Sequence, residues 1–510
     1  MKLLYVSARS ATVLLNPKGD YTMPSPARLT LNGIDLGEES RSVVSLFDLY
    51  PETEYSLVKQ QDGEEEEILS FRTEQESVTL DVRRFGAQGN GKTDDTPCLQ
   101  AAIMCCPEGG RVLLPAGTYM TGPLFLKSHI TLEFQKGATL SLVTDQNRYP
   151  ILPGVTYPTG EGEDLLLGSW EGNPLDSFAS ALTGIGVEDV RIIGEGIIDG
   201  RAQDGIWWVN PKGKYRAYRG HLLFLKNCKN ITVQGLTFRN SPSWNIHPLF
   251  SEDLSFLNIT VEAPSYSPNT DGFDPQSCNG VKMYGALFSV GDDCIAIKAG
   301  KIWQGQKYRT PTQNVEIAWC AMLDGHGGVT IGSENAGGVH HVRVHHCWMR
   351  GNDRGLRIKT RRGRGLIAVV DDVRFEDVRM ENVKMPLVVN CMYFCDPDGH
   401  SPYVQSRQPQ PLDETTPTVG AIVFERVRAT GCRACVGYIL GLPERPVQSV
   451  TVRDSAFDFV EDAVPLIPAM ADGVPAVHNQ GIIAQFIDEL IVEDVDMDHI
   501  NGEMVQKLQP

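Results

Sequence analysis

The sequence predicts an all-β protein, a parallel β-helix preceded by a small β-sandwich. Three observations carry the prediction. Fifty glycines and 31 prolines punctuate the chain at short range, which favours strands and turns over long helices. From about residue 189 to 492 a loose repeat recurs: a charged residue or Asn, then alternating Val/Ile, then a turn. The first 76 residues instead alternate apolar and polar positions over short stretches, as in Ala11-Thr12-Val13-Leu14-Leu15 and Ala27-Arg28-Leu29-Thr30-Leu31, the pattern of half-buried sandwich strands.

In chain order, residues 1–76 form the expected sandwich. Within it, Leu49 to Leu57 followed by Ser70-Phe71-Arg72-Thr73 resembles the late strands of a fibronectin type III domain. The acidic run Glu64 to Glu67 reads as a solvated hairpin tip, and Glu74-Gln75-Glu76-Ser77 as a linker. A second unit, residues 77–510, opens with a strand and a Gly-rich turn after Val82 to Ala87. Asp94-Asp95-Thr96 then reads as the N-cap of a helix through Leu99 to Ile103. The repeat follows at Asp189-Val190-Arg191-Ile192, Asn230-Ile231-Thr232-Val233 and Asn258-Ile259-Thr260-Val261. It continues through residues 280–283, 314–317, 341–344, 372–375, 449–452 and 489–492. Strands spaced this closely leave no room for helices between them, so each coil must pair with the next. Asn at the strand starts suits left-handed turns. A propeller would need longer and more regular repeats.

The formal net charge of −18 and a pI near 5.1 exclude a basic stripe for nucleic acid. A polyanionic substrate would need a local cluster of cations, because charges beyond a Debye length of about 8 Å contribute little. Arg9 interrupts the apolar run that begins the chain, and no run of about 18 apolar residues occurs. The expectation is a cytoplasmic protein without a membrane partner and with reduced cysteines, a periplasmic or secreted location being the alternative. Its oligomeric state is open.

Four polar islands each end an apolar, β-branched run: Asn269-Thr270-Asp271, Gly291-Asp292-Asp293, Gly325-His326-Gly327 and Arg357-Ile358-Lys359. Successive strands would place three carboxylates, an imidazole and two cations on one surface. Asp271 and Asp292 are 21 positions apart, about one coil, and His326 and Arg357 each fall one further coil. Turn residues alone account poorly for such a stack, since the acids repel one another. Neighbouring strand residues point to opposite faces, so Asp292 and Asp293 share a site only if the backbone bends, which Gly291 permits. Cleaving a glycosidic bond needs one protonated and one ionised carboxyl, and crowded carboxylates supply both states. Arg357 and Lys359 share a face suited to an acidic sugar, and Arg361, Arg362 and Arg364 are expected to extend the cationic cluster.

Taken together, Asn269 to Asp274, Gly291-Asp292-Asp293-Cys294, Gly325-His326-Gly327-Gly328 and Arg357-Ile358-Lys359 resemble the signature set of glycoside hydrolase family 28, the polygalacturonases. The general pattern extends over residues 78–510. The resemblance implies a right-handed, pectin-lyase-like β-helix. It implies Asp292 as general acid, Asp271 and Asp293 as the pair that holds and deprotonates water with inversion, and His326 as the group that tunes the acid. Arg357, Lys359 and Tyr393 would contact the substrate, and Asn269 would either orient Asp271 or contact the sugar. It implies no cofactor and no metal. The histidines at 340, 341, 345 and 346 and the Cys391/Cys395 and Cys432/Cys435 pairs lack matching ligands. Long insertions at 145–175, 202–218 and 396–416 carry Trp170, Trp207, Trp208, Tyr215 and Tyr218. With the fibronectin-like module they resemble the bacterial exo-acting branch. The expected function is therefore exo-hydrolysis of α-1,4-galacturonosidic bonds in polygalacturonate or oligogalacturonides. Endo-hydrolysis, rhamnogalacturonan or xylogalacturonan hydrolysis, a pectate lyase and a non-catalytic sugar-binding β-helix remain alternatives.

Overall fold

The computed structural model describes residues 1–155 and 165–509. The repeat is a ladder. One apolar column runs in parallel register from Val112 through Leu132, Ile192, Val233, Phe256, Met283, Ile317, Val344, Phe375, Phe424 and Val452 to Val492. Nearly all of these side chains are buried in one continuous core, so the chain forms a parallel β-helix. Coil length varies with surface insertions: Val112 to Leu132 takes 20 residues, whereas Leu132 to Ile192 takes 60. That long coil contains the 145–175 insertion, of which residues 156–164 lie outside the described residues.

Beside the core column runs a column of left-handed residues, Asp189, Asn230, Asp253, Gly280, Asn314, His341 and Asp372, each at positive φ. Short polar side chains and Gly tolerate this conformation, and they bond one another between coils. Asn230 Nδ2 donates to Asp189 Oδ1 at 2.5 Å, and His341 Nδ1 meets Asp372 Oδ2 at 2.9 Å. His341 is thus a turn residue of the ladder. The helix predicted near Leu99 is present at Thr96–Cys105, with Asp95 at its N-cap. The Asp95 carboxylate does not cap the helix but accepts from the Gln88 and Gly89 amides, at 2.7 and 3.0 Å.

A second parallel face bears the polar islands. It comprises a four-stranded sheet (Leu124–Phe125, Leu182–Ile185, Leu223–Lys226, Ile246–Leu249) and a seven-stranded one. The latter begins Ile295–Ile297, Val329–Ile331, Arg354–Lys359 and Met385–Asn390. Among the described residues, single bridges through Phe273 and Gln276 connect them.

The N-terminal segment forms two antiparallel sheets, one of three strands (Lys2–Val6, Ala11–Leu14, Val43–Leu46) and one of four (Thr22–Leu31, Ile34–Arg41, Glu54–Gln60, Glu67–Arg72). They enclose their own apolar cluster and dock on the turns of the β-helix. Gln234 links Ser10 and Thr12 at 2.6 and 2.7 Å, Arg379 pairs with Asp20 at 2.6 Å, and Leu14 and Val43 pack on Ala318 and Trp319.

Candidate active site

The islands converge where the second face is interrupted. Phe273 is the register partner of Ile295, which sets Asp271 beside Asp293; the Gly272 amide donates to the Asp293 carbonyl at 3.0 Å. The partner of Asp271 is therefore Asp293, because the local coil is 22 residues long, one more than the expected match to Asp292. Asp292 stands one position earlier, on a bend after Gly291, in a column with His326 and Asp353. The His326 amide donates to the Asp292 carbonyl at 3.0 Å, and the Asp353 amide to Gly325 at 3.1 Å. The bend turns both acidic side chains outward, so oxygens of Asp271, Asp292 and Asp293 all lie within 4.8 Å of one another. Gly327 makes room for this packing, since a Cβ there would stand 2.6 Å from Asp293 Oδ1.

The three carboxylates are paired unequally. Lys359 Nζ sits 2.9 Å from Asp293 Oδ2, and Arg357 Nη1 lies 3.6 Å from Asp293 Oδ1. Lys298 Nζ lies 3.7 Å from Asp271 Oδ2. Among the described residues Asp292 has no ion pair; its Oδ1 accepts from the Asp293 amide at 3.0 Å. Burial alone would raise Asp293, but Lys359 and Arg357 hold it well below the usual carboxylate range. Burial and then the Asp292 charge push Asp271 up against the pull of Lys298, while burial and then Asp293 push Asp292 up against Lys359 and His326. Asp293 thus stays ionised, and Asp271 and Asp292 compete for a proton. Burial pushes Asp271 further up than Asp292, to about 8, whereas the ion pairing favours the proton on Asp292, the member without a facing cation among the described residues.

His326 is half exposed, with Nδ1 2.9 Å from Asp353 Oδ2, while Lys384 Nζ holds Asp353 Oδ1 at 2.5 Å. The Asp353 carboxylate raises the imidazole above its ordinary value against burial, with Asp292 and Asp293 adding to it. Lys298 is almost fully enclosed, 3.4 Å from Asp274, 3.2 Å from Glu334 and 4.5 Å above the Trp244 ring. Burial alone would depress its ammonium, but Glu334, Asp274 and Asp271 lift it well above the ordinary lysine value. None of Lys298, Asp353 and Glu334 was singled out from sequence. A usable signal existed for Lys298: a charged residue closing the apolar run Ile295-Ala296-Ile297, as Lys359 closes its own strand.

Arg357 and Lys359 flank buried Ile358 on one face, and both reach the Tyr393 ring, at 5.7 and 5.5 Å. Tyr393 is buried at the edge of the same cavity. Asn269 lines it too, but its Oδ1 accepts from Arg219 at 2.8 Å, so Arg219 fixes its orientation. The expected arginine cluster is corrected. Arg361 pairs with Asp396 and Asp398, Arg362 with Glu444 at 2.6 Å, and Arg364 with Asp396 at 2.8 Å; all three are buried and anchor the loops around the cleft. The insertion aromatics are also structural in part: Trp207 is enclosed between Tyr149 and Phe178, and Trp170 stacks on Tyr218 beneath Arg219.

The cavity over the carboxylates measures about 220 Å³ and is lined by Lys298, Lys301, Glu334 and Lys359, with Glu171 and Lys212 arriving from two insertions. Lys301 lies 3.1 Å from Asp396 of the third insertion. On the N-terminal side of the cavity, Leu152 and Leu167 of the 145–175 insertion pack on Phe224, Leu249 and Phe250, along the face that carries the site.

The sequence profile of Glycosyl hydrolases family 28 matches residues 117–457, and that of Rhamnogalacturonase A/epimerase, pectate lyase-like, matches residues 79–141. A Vitis vinifera protein named Probable polygalacturonase is 33% identical over 325 residues, covering 62% of this chain and 63% of its own length. The chain thus spans just under two thirds of that relative. An endo-polygalacturonase of Pectobacterium carotovorum subsp. carotovorum is 33% identical over 318 residues, covering 58% of this chain and 72% of the relative. The crystal structure of a hyperthermoactive exopolygalacturonase from Thermotoga maritima shares the fold with a TM-score of 0.62 at 25% identity, covering 81% of this chain and 91% of that one. The family profile spans every coil that contributes an island, and the chain belongs to glycosyl hydrolases family 28.

Proposed function

We propose that the protein hydrolyses α-1,4-galacturonosidic bonds of polygalacturonate or oligogalacturonides, from chain ends and with inversion. The observation that carries the hydrolytic reading is the unequal pairing of three crowded carboxylates. Asp292, without a facing cation, donates its proton to the departing glycosidic oxygen. Asp293, held ionised by Lys359 and Arg357, and Asp271, faced by Lys298, position a water and accept its proton as it attacks the anomeric carbon. Arg357 and Lys359 complement the carboxylate of the sugar, and His326, charged through Asp353, limits how far Asp292 rises.

A double displacement would need a free carboxylate as nucleophile, and both Asp293 oxygens face cations. The closest oxygens are nearer than the roughly 6.5–9.5 Å usual between inverting carboxyls, so inversion rests on the ion pairing and not on the spacing. NMR of the first-formed anomer decides: a β-product supports the scheme, and an α-product replaces it with a covalent intermediate.

Action from chain ends is supported by the insertion packed on the N-terminal side of the site face and by the charged residues with which the insertions enclose the cavity. An exopolygalacturonase also shares the fold. An endo mode is the second reading, favoured by the 33% identity to an enzyme named endo-polygalacturonase. Chromatography of products from a defined octagalacturonide separates the two. A single short product released from the first turnover is expected; a spread of middle-sized fragments refutes the exo mode, and an unsaturated product absorbing in the ultraviolet refutes hydrolysis.

A further inference from the structure

Lys298 belongs to none of the islands, yet it is the most heavily paired side chain in the site. Three carboxylates face it from two coils: Asp271 and Asp274 at 3.7 and 3.4 Å from the coil before, and Glu334 at 3.2 Å from the coil after. Asp293 of its own coil adds to its field, and the Trp244 ring covers it at 4.5 Å. It is 3% exposed, Asp274 is fully enclosed and Glu334 is 7% exposed. An ammonium confined in this way cannot swing away from Asp271, since Asp274 and Glu334 fix it from either side. The arrangement parallels the one around Asp293, where Lys359 closes the corresponding strand position two coils later.

We infer that Lys298, held by Asp274 and Glu334, is the positioning residue that directs the catalytic proton to Asp292 by facing Asp271 with a fixed positive charge. The inference rests on the hydrolase reading above and deepens it. The three acids are close enough that one proton is shared between Asp271 and Asp292. The groups facing this pair are Asp293, Asp274, Lys298, Lys359 and His326, with Arg219 a more distant contributor to Asp271. Of these, only Lys298 forms an ion pair with Asp271 among the described residues. With that charge absent, Asp271 retains the proton, the water loses one of its two bases, and the fraction of enzyme with Asp292 as acid falls.

The test compares Lys298→Met with Lys298→Arg on a defined oligogalacturonide across pH. Lys298→Met is expected to lower kcat by about 100-fold or more while KM changes less than threefold. The acidic limb of its kcat profile should move to higher pH, because Asp271 ionises later without the cation. Lys298→Arg keeps the charge and should keep the wild-type limb, with a smaller loss of rate. Lys298→Met leaves three buried acids, Asp271, Asp274 and Glu334, without this cation, so Lys298→Met/Glu334→Gln repeats the measurement in a background with less unpaired charge should the single variant fail to fold. A folded charge-removing variant with the wild-type acidic limb, or one impaired only in KM, overturns the inference. Absence of any new reducing ends from the wild-type protein would instead sink the hydrolase reading itself, which keeps the two failures distinct.

Discussion

Replacing Asp292 by Asn removes the proposed acid with almost no change of shape. The side chain makes no ion pair among the described residues, and its one recorded bond, from the Asp293 amide to Oδ1 at 3.0 Å, can be kept by an amide oxygen. The fold should survive, and the loss should fall on proton donation, worth about 10²–10⁴-fold or roughly 2.7–5.4 kcal/mol of transition-state stabilisation. A second effect follows from crowding. Unit charges no more than 4.8 Å apart interact by about 3.5 kcal/mol or more at an effective dielectric near 20. The proton on Asp292 keeps that repulsion out of the active form, and Asn imitates the protonated acid. The acidic limb of the residual activity, set by Asp271, should therefore not move down, while the alkaline limb, which reports loss of the Asp292 proton, should disappear. The assay pairs an oligogalacturonide with an aryl galacturonide whose phenolate leaves without a proton. Asp292→Asn should lose the full factor on the first and less than tenfold on the second, whereas Asp293→Asn should lose heavily on both. Equal losses of Asp292→Asn on the two substrates would refute its role as acid.

Three other consequences are as direct. Asp353→Asn removes the group that chiefly raises His326; the imidazole then loses its charge at lower pH and no longer holds Asp292 down, so the alkaline limb of kcat/KM should move to higher pH, and an unmoved limb would separate His326 from the acid. Arg362→Met strands Glu444, which is 3% exposed in its side chain, and should cost about 3–5 kcal/mol, seen as a lower thermal midpoint with KM unchanged within twofold; a raised KM at an unchanged midpoint would return Arg362 to the substrate. The carboxylate cluster is already served by Lys298, Lys359 and Arg357, so excess chelator should leave the rate unchanged, and a loss restored by a divalent cation would overturn the charge scheme.

The β-helix was legible because its signal repeats: the same column of Val, Ile and Phe recurs at every coil, so errors in single coils do not accumulate. The islands were legible because catalytic groups close the strands that carry them. What sequence could not give was register across coils of unequal length. One residue of difference exchanged Asp292 for Asp293 as the partner of Asp271. Asp353 went unnoticed because it lies a coil beyond His326, in a run with no other distinction. Arg361, Arg362 and Arg364 were misassigned because their acidic partners, Asp396, Asp398 and Glu444, lie 32 to 82 positions away on other loops. A dense run of arginines looks the same whether it faces a ligand or ties loops together.

That correction changes how an acidic protein accepts an acidic sugar. The cavity is lined by four lysines, Lys212, Lys298, Lys301 and Lys359, and by five acids, Glu171, Asp271, Asp292, Asp293 and Glu334. With every group ionised it would repel a uronate; with a proton on Asp292 the lining is balanced, and the incoming carboxylate meets lysines not fully offset at close range. Substrate charge and acid protonation are therefore linked, because a bound uronate adds a negative charge near Asp292 and disfavours loss of its proton. The alkaline limb of kcat, which reports the bound enzyme, should lie at higher pH than that of kcat/KM, which reports the free enzyme. The separation should shrink for a methyl-esterified substrate that carries no charge. The reverse order of the two limbs would mean that the cations, rather than the proton on Asp292, govern entry of the sugar.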